Sequence, residues 1–511
     1  MTDHASSSAI SADAGWFDTL ARLLDTAVIL AVAAAMVVTP LLLHILHPAV
    51  GIAAAFVLTA VCAWRMPQAA IVAIVLSFLC QNLVVSLLAN HVRDADDFDI
   101  IRGYNFFMLV AAWAAIALQL AGTWLQRNRA LDPYLKVTVA VIAVIGVYFL
   151  FGYVRTGITA IVYLRNIVTP LLLFQICLVV FSRQEVRLGQ ALSALAGIAI
   201  LCGVIEFLFR DFWLSATNGQ AFWDISGGAN WATLEFDKAA RETGIVATGL
   251  ADTFKIDFFN SPLLAGYGIE VMRLFGPNMH AISFAYASCF FSIFSLYRGR
   301  FGLAALLAVL LVLTNAKGPL IIYILVACGW VAFRLFGARF AFISICMALL
   351  AYAALGTVIG LDIGDYHVIG LMAGVLDFPT NPIGWGIGSG GNLSPDFTTI
   401  DWSAAQGAGR TPFAVESSVA VLLHQLGIFA FAIVASYVWI AWRVMSLARI
   451  TGTDLHAAAA LGLMCVVANG LFQEEAYFAP LALALFLALA GMVLGAAARN
   501  GIETSWRASN S

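Results

Sequence analysis

The sequence predicts an all-α fold, a polytopic integral membrane bundle of about fourteen transmembrane helices with both termini in the cytoplasm. Three observations predict it: the composition, the length of the apolar runs and the distribution of basic residues. Of the 511 residues, 62% are hydrophobic and only 11% are charged, whereas soluble domains carry roughly 25% charged residues. The chain is therefore expected to have the lipid bilayer as its solvent.

Apolar runs of about 17 to 25 residues recur along the chain, each long enough to cross roughly 30 Å of hydrocarbon as a helix. Lipid offers the backbone no hydrogen-bond partners, so continuous apolar runs must be helical. The first seven predicted helices lie near 26–46, 48–64, 68–88, 104–122, 134–152, 158–181 and 188–208. The other seven lie near 279–297, 301–315, 318–335, 338–360, 416–441, 455–472 and 477–498.

Basic residues are concentrated in alternate connections between these helices. One set of loop and tail positions holds Arg22, Arg65, Arg127, Arg129, Lys136, Arg183, Arg187, Arg298, Arg300, Arg334, Arg339, Arg443, Arg449, Arg499 and Arg507. The opposite short loops hold only Arg93, Arg102, Arg155 and Lys317. Cytoplasmic loops are enriched in Lys and Arg, so the first set is predicted to be cytoplasmic.

This topology divides the chain into three helical groups, 26–208, 279–360 and 416–498, with cytoplasmic tails 1–25 and 499–511. Two long segments, 209–278 and 361–415, separate the groups, and both are predicted to lie outside the cytoplasm. Long ordered loops are usually functional, so function is expected there. The polar and aromatic residues of the first segment include Trp213, Trp223, Asp224, Trp231, Glu235 and Asp237.

Several classes of function are disfavoured by composition. The net charge is -3 and no Lys/Arg cluster marks a nucleic-acid surface. The eight cysteines lie in apolar segments without CxxC spacing, which is typical of small core residues. No His/Asp/Glu group has metal-ligand spacing, so neither a metal nor another cofactor is expected.

Arg165 is the clearest candidate functional residue, because an arginine inside a membrane helix costs about 2.5 to 3.5 kcal/mol on insertion scales. It lies in YLRNIVTPLLLF, beside Asn166 and one turn before Pro170. The structural alternatives are snorkelling to the outer headgroups or an ion pair with Glu206 of the next helix.

Two further cations are predicted at the outer membrane face. Arg273 opens RLFGPNMHA, where the first long segment returns to the membrane, and Lys317 lies in the short junction LTNAKGPL. A guanidinium can hold a phosphate by two parallel hydrogen bonds, whereas an ammonium supplies a point charge. Anchoring to lipid headgroups remains the alternative for Arg273, and a solvated helix terminus the alternative for Lys317.

The second long segment and the last outer loop contribute further candidates. The run NPIGWGIGSGGN lacks the strand and helix of a nucleotide-binding loop and is predicted to be a compact turn that a ligand or neighbouring helix approaches closely. Glu416 opens the next predicted helix, where it is either a general base or a complement to the helix dipole. Glu474 and Glu475 are expected to be solvated.

Taken together, these motifs resemble the bacterial O-antigen polymerase and ligase superfamily, which includes the Wzy-type polymerases. The resemblance rests on YLRNIVTPLLLF, RLFGPNMHA, LTNAKGPL, NPIGWGIGSGG and VESSVAVLLHQLGIFAF in that order, and it covers most of the chain. It implies a GT-C-like O-antigen ligase/polymerase fold in the bacterial inner membrane. At the LTNAKGPL junction the family usually has Ser-Arg, where this chain has Ala316 and Lys317.

The resemblance implies metal-independent glycosyl transfer between undecaprenyl-diphosphate-linked oligosaccharides at the periplasmic face. The implied diphosphate ligands are Arg165, Arg273 and Lys317, and Glu416 is the implied base. Candidate glycan contacts are Asn278, His280, Trp385 and Asn392. Expected partners are membrane lipids, with a chain-length regulator and a flippase of the same pathway as further candidates.

Two other functions remain open on the sequence. An O-antigen ligase would transfer polymer to an acceptor lipid or protein, but ligases typically show a His-Asn pair where this chain has Glu416 and Ser417. A flippase would need charges within the bundle, but transporters concentrate polar residues near mid-membrane, whereas here they are concentrated in two outer segments.

Overall fold

The computed structural model describes residues 5–123, 125, 127–226, 255–258 and 270–502, with side chains from Thr19 onward except at 255–257 and 270. Trp231, Glu235 and Asp237 lie outside the described residues. The described chain is almost entirely helical, which confirms the predicted all-α, polytopic class. Its only described strands are two short ones, β1 (Lys255–Asp257) and β2 (Glu270–Met272), which pair antiparallel.

The helices follow the apolar runs of the sequence. Those before the first long segment are α1 (Ala5–Leu46), α2 (Pro48–Arg65), α3 (Pro67–Leu87), α4 (Ala95–Arg102), α5 (Tyr104–Gly122), α6 (Asp132–Thr156), α7 (Ile158–Arg183) and α8 (Gly189–Leu208). The first long segment begins with α9 (Arg210–Ala216) and α10 (Gly219–Ile225). The structure continues α1 back through the predicted tail 1–25 as far as Ala5.

The second half contains both long and short helices. They are α11 (Ala281–Tyr297), α12 (Phe301–Leu313), α13 (Lys317–Ile363), α14 (Tyr366–Asp377), α15 (Trp402–Ala408), α16 (Ser418–Leu426), α17 (Phe429–Thr451), α18 (Asp454–Asn469), α19 (Glu475–Phe478) and α20 (Leu485–Arg499). A π-helical turn, Pro480–Ala484, leads directly into α20.

Ten helical segments in the described part of the chain are long and apolar enough to cross a membrane, and four shorter helices are also apolar. Large apolar side chains such as Val147 and Leu350 are exposed on the outside of these helices, as expected for contact with lipid. The chain is therefore a multi-pass membrane protein. The total of fourteen spans stays a prediction.

Helix α13 is a hairpin rather than one straight span. Gly337 interrupts it with φ 81° and ψ 175°. A Cβ placed on Gly329 would lie 2.9 Å from Ile345 Cγ1, and these residues stand eight positions before and after Gly337. The two arms therefore pack antiparallel, and the turn lies between the predicted helices 318–335 and 338–360.

The predicted helix 416–441 is wrong as a single element. The chain breaks at Gly427, which has φ 55°, and α16 and α17 lie on either side. The carbonyl of Pro382 accepts a hydrogen bond from Ile428 N at 2.8 Å, and a Cβ on Gly427 would lie 2.1 Å from that oxygen. The 381–392 turn therefore packs into the break, which only glycine permits.

The predicted cytoplasmic and outer connections occupy opposite ends of the bundle. At one end, Arg183 Nη2 donates to Thr123 Oγ1 at 2.7 Å and Asn128 Nδ2 donates to Ala498 O at 2.7 Å. We call this the arginine-rich end. At the other end, Asn82 Nδ2 donates to Asn278 O at 2.8 Å. We call this the loop-rich end, and it contains the described parts of the two long segments.

Candidate functional site

A cavity of about 480 Å³ lies among the loop-rich ends of the helices. Its polar and charged lining residues are Ser77, Asn82, Asp99, Arg102, Asn105, Thr159, Arg165, Asn166, Thr169, Asn278, His280, Ser283, Asn392, Glu474 and Glu475. Such a concentration of polar side chains inside an apolar bundle marks a functional site, because polar groups are costly in a membrane unless they serve one.

Arg165 reaches this cavity from α7, one of the most buried helices of the bundle. It lies seven residues after Ile158, which corresponds to about 10 Å along an α-helix. Thr169 Oγ1 donates to the Arg165 carbonyl at 2.7 Å. Its guanidinium is repelled by the charge of Arg102 and attracted by that of Asp99.

The alternative pairing of Arg165 with Glu206 is wrong. Glu206 binds Arg210 Nη2 at 2.8 Å and accepts hydrogen bonds from the backbone N–H groups of Phe275 and Gly276 at 2.9 and 2.6 Å. This carboxylate therefore fixes the turn of the RLFGPNMHA motif. Arg165 does not pair with it and lines the cavity instead.

Arg102, a residue that the sequence prediction missed as a site residue, lines the same cavity from the end of α4. Helix α4 is capped by Asp94, whose Oδ1 accepts from Asp97 N at 2.8 Å, and Asp97 Oδ1 lies 3.0 Å from His44 Nε2. Gln81 Nε2 donates to the Arg102 carbonyl at 2.9 Å. These contacts position α4. The three-residue spacing of Asp99 and Arg102, which places both on one helical face, was the signal available in the sequence.

The RLFGPNMHA motif supplies Asn278 and His280 to the cavity. Asn278 Nδ2 donates to Phe78 O at 2.7 Å. His280 caps α11, and its Nδ1 accepts from Ser283 N at 3.2 Å, so the proton of the neutral ring is on Nε2. Burial, together with Arg273 and Arg102, lowers the pKa of His280 to about 4. At neutral pH it is therefore an uncharged donor.

Arg273 and Lys317 are not among the residues lining the cavity. Arg273 Nε donates to Thr314 O at 3.3 Å, and its charge acts on the lining residues His280 and Glu475. The Lys317 side chain is exposed at the start of α13. Both remain predictions as diphosphate ligands.

The glycine-rich turn packs on the loop-rich ends of α6 and α7. Gly386, Gly388 and Gly391 have φ of 94°, 90° and 96°, and a Cβ on Gly391 would lie 1.8 Å from the Tyr163 hydroxyl oxygen. This close approach of a neighbouring helix brings Asn392 into the cavity wall. Trp385 lies outside that wall, where Arg155 stacks 5.5 Å from its ring centre.

Glu474 is buried, so the expectation that it is solvated is wrong. Its carboxylate accepts hydrogen bonds from Tyr163 Oη at 2.7 Å, Asn392 N at 2.9 Å and Glu416 N at 3.2 Å. Burial raises the pKa of Glu474 to about 8, despite the opposing effect of the hydrogen bonds. Glu474 therefore binds a proton more readily than an ordinary glutamate does.

Glu416 does not open a helix but lies before Ser417, the N-cap of α16, with φ 60°. Its Oε2 lies 3.1 Å from His367 Nδ1, and it is not a cavity-lining residue. Glu475, in contrast, lines the cavity and has a buried Oε2 without a hydrogen-bond partner among the described residues. Sequence reasoning had no signal that separates these three glutamates.

The arrangement is suited to an anion with an apolar tail. Two guanidinium groups, which remain charged in proteins, share the cavity with several amide side chains, and the rest of the wall includes Ile158, Val162 and Leu481. No protein-family model matches the chain. No curated protein matches it either. The function is therefore inferred from the cavity and from the motifs of the sequence.

Proposed function

We propose that this chain is a glycosyltransferase that joins undecaprenyl-diphosphate-linked repeat units of a bacterial surface or secreted polysaccharide, as Wzy-type polymerases do. The observation that supports this function best is the meeting of Arg102 and Arg165 in one cavity inside a membrane bundle. Paired guanidinium groups suit a diphosphate, and an enclosing bundle suits one that is attached to a lipid.

In the proposed reaction, a hydroxyl of one lipid-linked unit attacks the anomeric carbon of the growing chain, and undecaprenyl diphosphate leaves. Arg102 and Arg165 stabilise the negative charge that develops on the leaving group, the type of fixed electrostatic stabilisation that often dominates catalysis. Arg273, which is not a lining residue, adds positive potential at His280 and Glu475. Asn278, His280 and Asn392 are placed to donate hydrogen bonds to sugar hydroxyls.

The proposed location is the periplasmic face of the bacterial inner membrane. Basic residues are concentrated in the loops predicted to be cytoplasmic, and the bias of Lys and Arg toward cytoplasmic loops supports a cavity at the opposite face. The fourteen-span topology and the GT-C-like fold belong to the same proposal. A reporter fused within 381–392 tests the orientation, and cytoplasmic activity of that reporter contradicts it.

The activity is tested with the purified full-length chain in liposomes and the lipid-linked intermediate that accumulates in a strain deleted for its gene. Polymerase activity predicts a ladder of longer glycans on the lipid, which gel electrophoresis resolves. Movement of the intermediate across the bilayer without elongation supports a flippase instead. Transfer to an added acceptor without a ladder supports a ligase.

A further inference from the structure

Glu474 and Glu475 are neighbours in sequence but differ in how their carboxylates are used. Both oxygens of Glu474 accept hydrogen bonds, from Tyr163, from the Asn392 backbone and from the Glu416 backbone. Glu475 Oε2 is buried and has no partner among the residues that the structure describes. Glu474 therefore links the chain at Asn392 and Glu416 to Tyr163, whereas Glu475 has a carboxylate oxygen that accepts no hydrogen bond from a described residue.

An unpartnered, buried carboxylate oxygen is unfavourable and requires an explanation in a native structure. Glu475 stands at the first position of α19 and lines the same cavity as Arg102 and Arg165. A ligand hydroxyl that enters the cavity meets the Glu475 side chain and is a possible donor to its carboxylate. The position of Glu475 thus indicates a contact with substrate.

We propose that Glu475 is the general base of the glycosyl transfer, an assignment that rests on the proposed function. Its carboxylate accepts the proton of the attacking hydroxyl as the hydroxyl oxygen forms a bond to the anomeric carbon. The bond from that carbon to the diphosphate oxygen breaks, and undecaprenyl diphosphate leaves with the electron pair. The products are the longer glycan, the leaving group and protonated Glu475.

The other nearby carboxylates are less suited to this role. Glu416 is paired with His367 at 3.1 Å and does not line the cavity. Glu474 is saturated by its hydrogen bonds. Asp99 acts on Arg165 and therefore lies on the side of the cavity that binds the leaving group. Glu475 lines the cavity and has a buried carboxylate oxygen without a hydrogen-bond partner among the described residues.

The electrostatic surroundings also favour a base. Burial raises the pKa of Glu475 and Glu416 adds to this, while His367 and Arg273 oppose it. A raised pKa strengthens proton acceptance near neutral pH. The titratable and charged groups around Glu475 are Glu416, Glu474, His367, Arg273, Tyr163 and Tyr286. The rate of wild-type elongation should therefore rise as the pH increases and Glu475 loses its proton. We call this rising part of the pH–rate profile the acidic limb.

The test compares wild type, Glu475→Gln, Glu475→Asp and Glu416→Gln in the liposome assay described above. Single-turnover elongation is measured against pH, and binding of undecaprenyl diphosphate alone is measured by tryptophan fluorescence. Glu475→Gln should lower the elongation rate by about 100-fold or more and abolish the acidic limb. Its affinity for undecaprenyl diphosphate should stay within about twofold of wild type, and Glu475→Asp should recover part of the rate.

Three results overturn the assignment. In the first, Glu475→Gln elongates within tenfold of wild type or keeps the acidic limb. In the second, Glu475→Gln and Glu475→Asp lose binding of undecaprenyl diphosphate as strongly as they lose rate, which indicates a structural role. In the third, Glu416→Gln alone removes the acidic limb. If wild type itself does not elongate, the proposed function and the base assignment fall together, whereas the first three results leave the polymerase function intact.

Discussion

The two ends of the bundle use arginine differently. At the arginine-rich end, Arg183 donates to Gln119 and Thr123, and Arg187 forms an ion pair with Glu185 in which both side chains are largely exposed. At the loop-rich end, Arg102 and Arg165 share a cavity, and neither forms an ion pair with a described residue. The count of arginines therefore indicates topology, whereas their partners indicate function.

The largest expected effect tests this contrast directly. Arg165→Ala or Arg102→Ala should lower elongation by about 100- to 1,000-fold, as expected when a fixed donor for developing negative charge is lost. Arg165→Lys should keep part of the activity, because charge remains without the bidentate fork. Arg187→Ala is the matched control and should elongate normally. Equal losses in all four variants would show that the ends do not differ in function.

The glycine-rich turn at the loop-rich end should be the most sensitive to an added methyl group. Gly391→Ala forces a side chain into a positive φ and against Tyr163, so we expect a loss of about 2 kcal/mol or more in stability. Gly407→Ala, within α15 and with no neighbour within 4 Å of its added Cβ, is the control. Thermal unfolding in detergent measures both variants. Equal midpoints would contradict the described packing of the turn.

Arg273→Ala should have a smaller effect than Arg165→Ala, because Arg273 acts on His280 and Glu475 from outside the cavity lining. We expect elongation to fall by about tenfold, which is about 1.4 kcal/mol in transition-state free energy, with normal membrane insertion. Complete loss of the ladder would instead support direct binding of the diphosphate by Arg273, as the sequence predicts. A wild-type rate would remove Arg273 from the site.

The smallest expected effect concerns the pH dependence of stability. The folded chain raises the pKa of Glu474 to about 8, so the folded state binds its proton more tightly than the unfolded state does. The stabilising contribution is complete below the ordinary pKa of a glutamate and is lost as the pH rises through about 8. In Glu474→Gln, thermal midpoints should fall less between pH 5 and pH 8.5 than in wild type.

Glu185, at the arginine-rich end, is expected to behave in the opposite way. Arg187 lowers the pKa of the exposed Glu185, so that contribution is lost only as the pH falls. In the variant Glu185→Gln, the thermal midpoint should therefore change with pH above pH 5 as it does in wild type. If the thermal midpoint of Glu474→Gln fell with pH as steeply as that of wild type, burial of Glu474 would not be the cause of the pH dependence.

The sequence determined the class of this protein, because runs of apolar residues long enough to cross the bilayer must be helical there. The alternation of basic loops matches the two ends of the bundle, and Arg165, Asn278, His280 and Asn392 were predicted and line the cavity. Tertiary structure decided that Arg102 joins Arg165 and that Glu474 is buried. It also decided that Glu475, and not Glu416, faces the cavity. These residues come from elements tens to hundreds of positions apart, and no local pattern encodes which helix ends meet, because that depends on how the whole bundle packs.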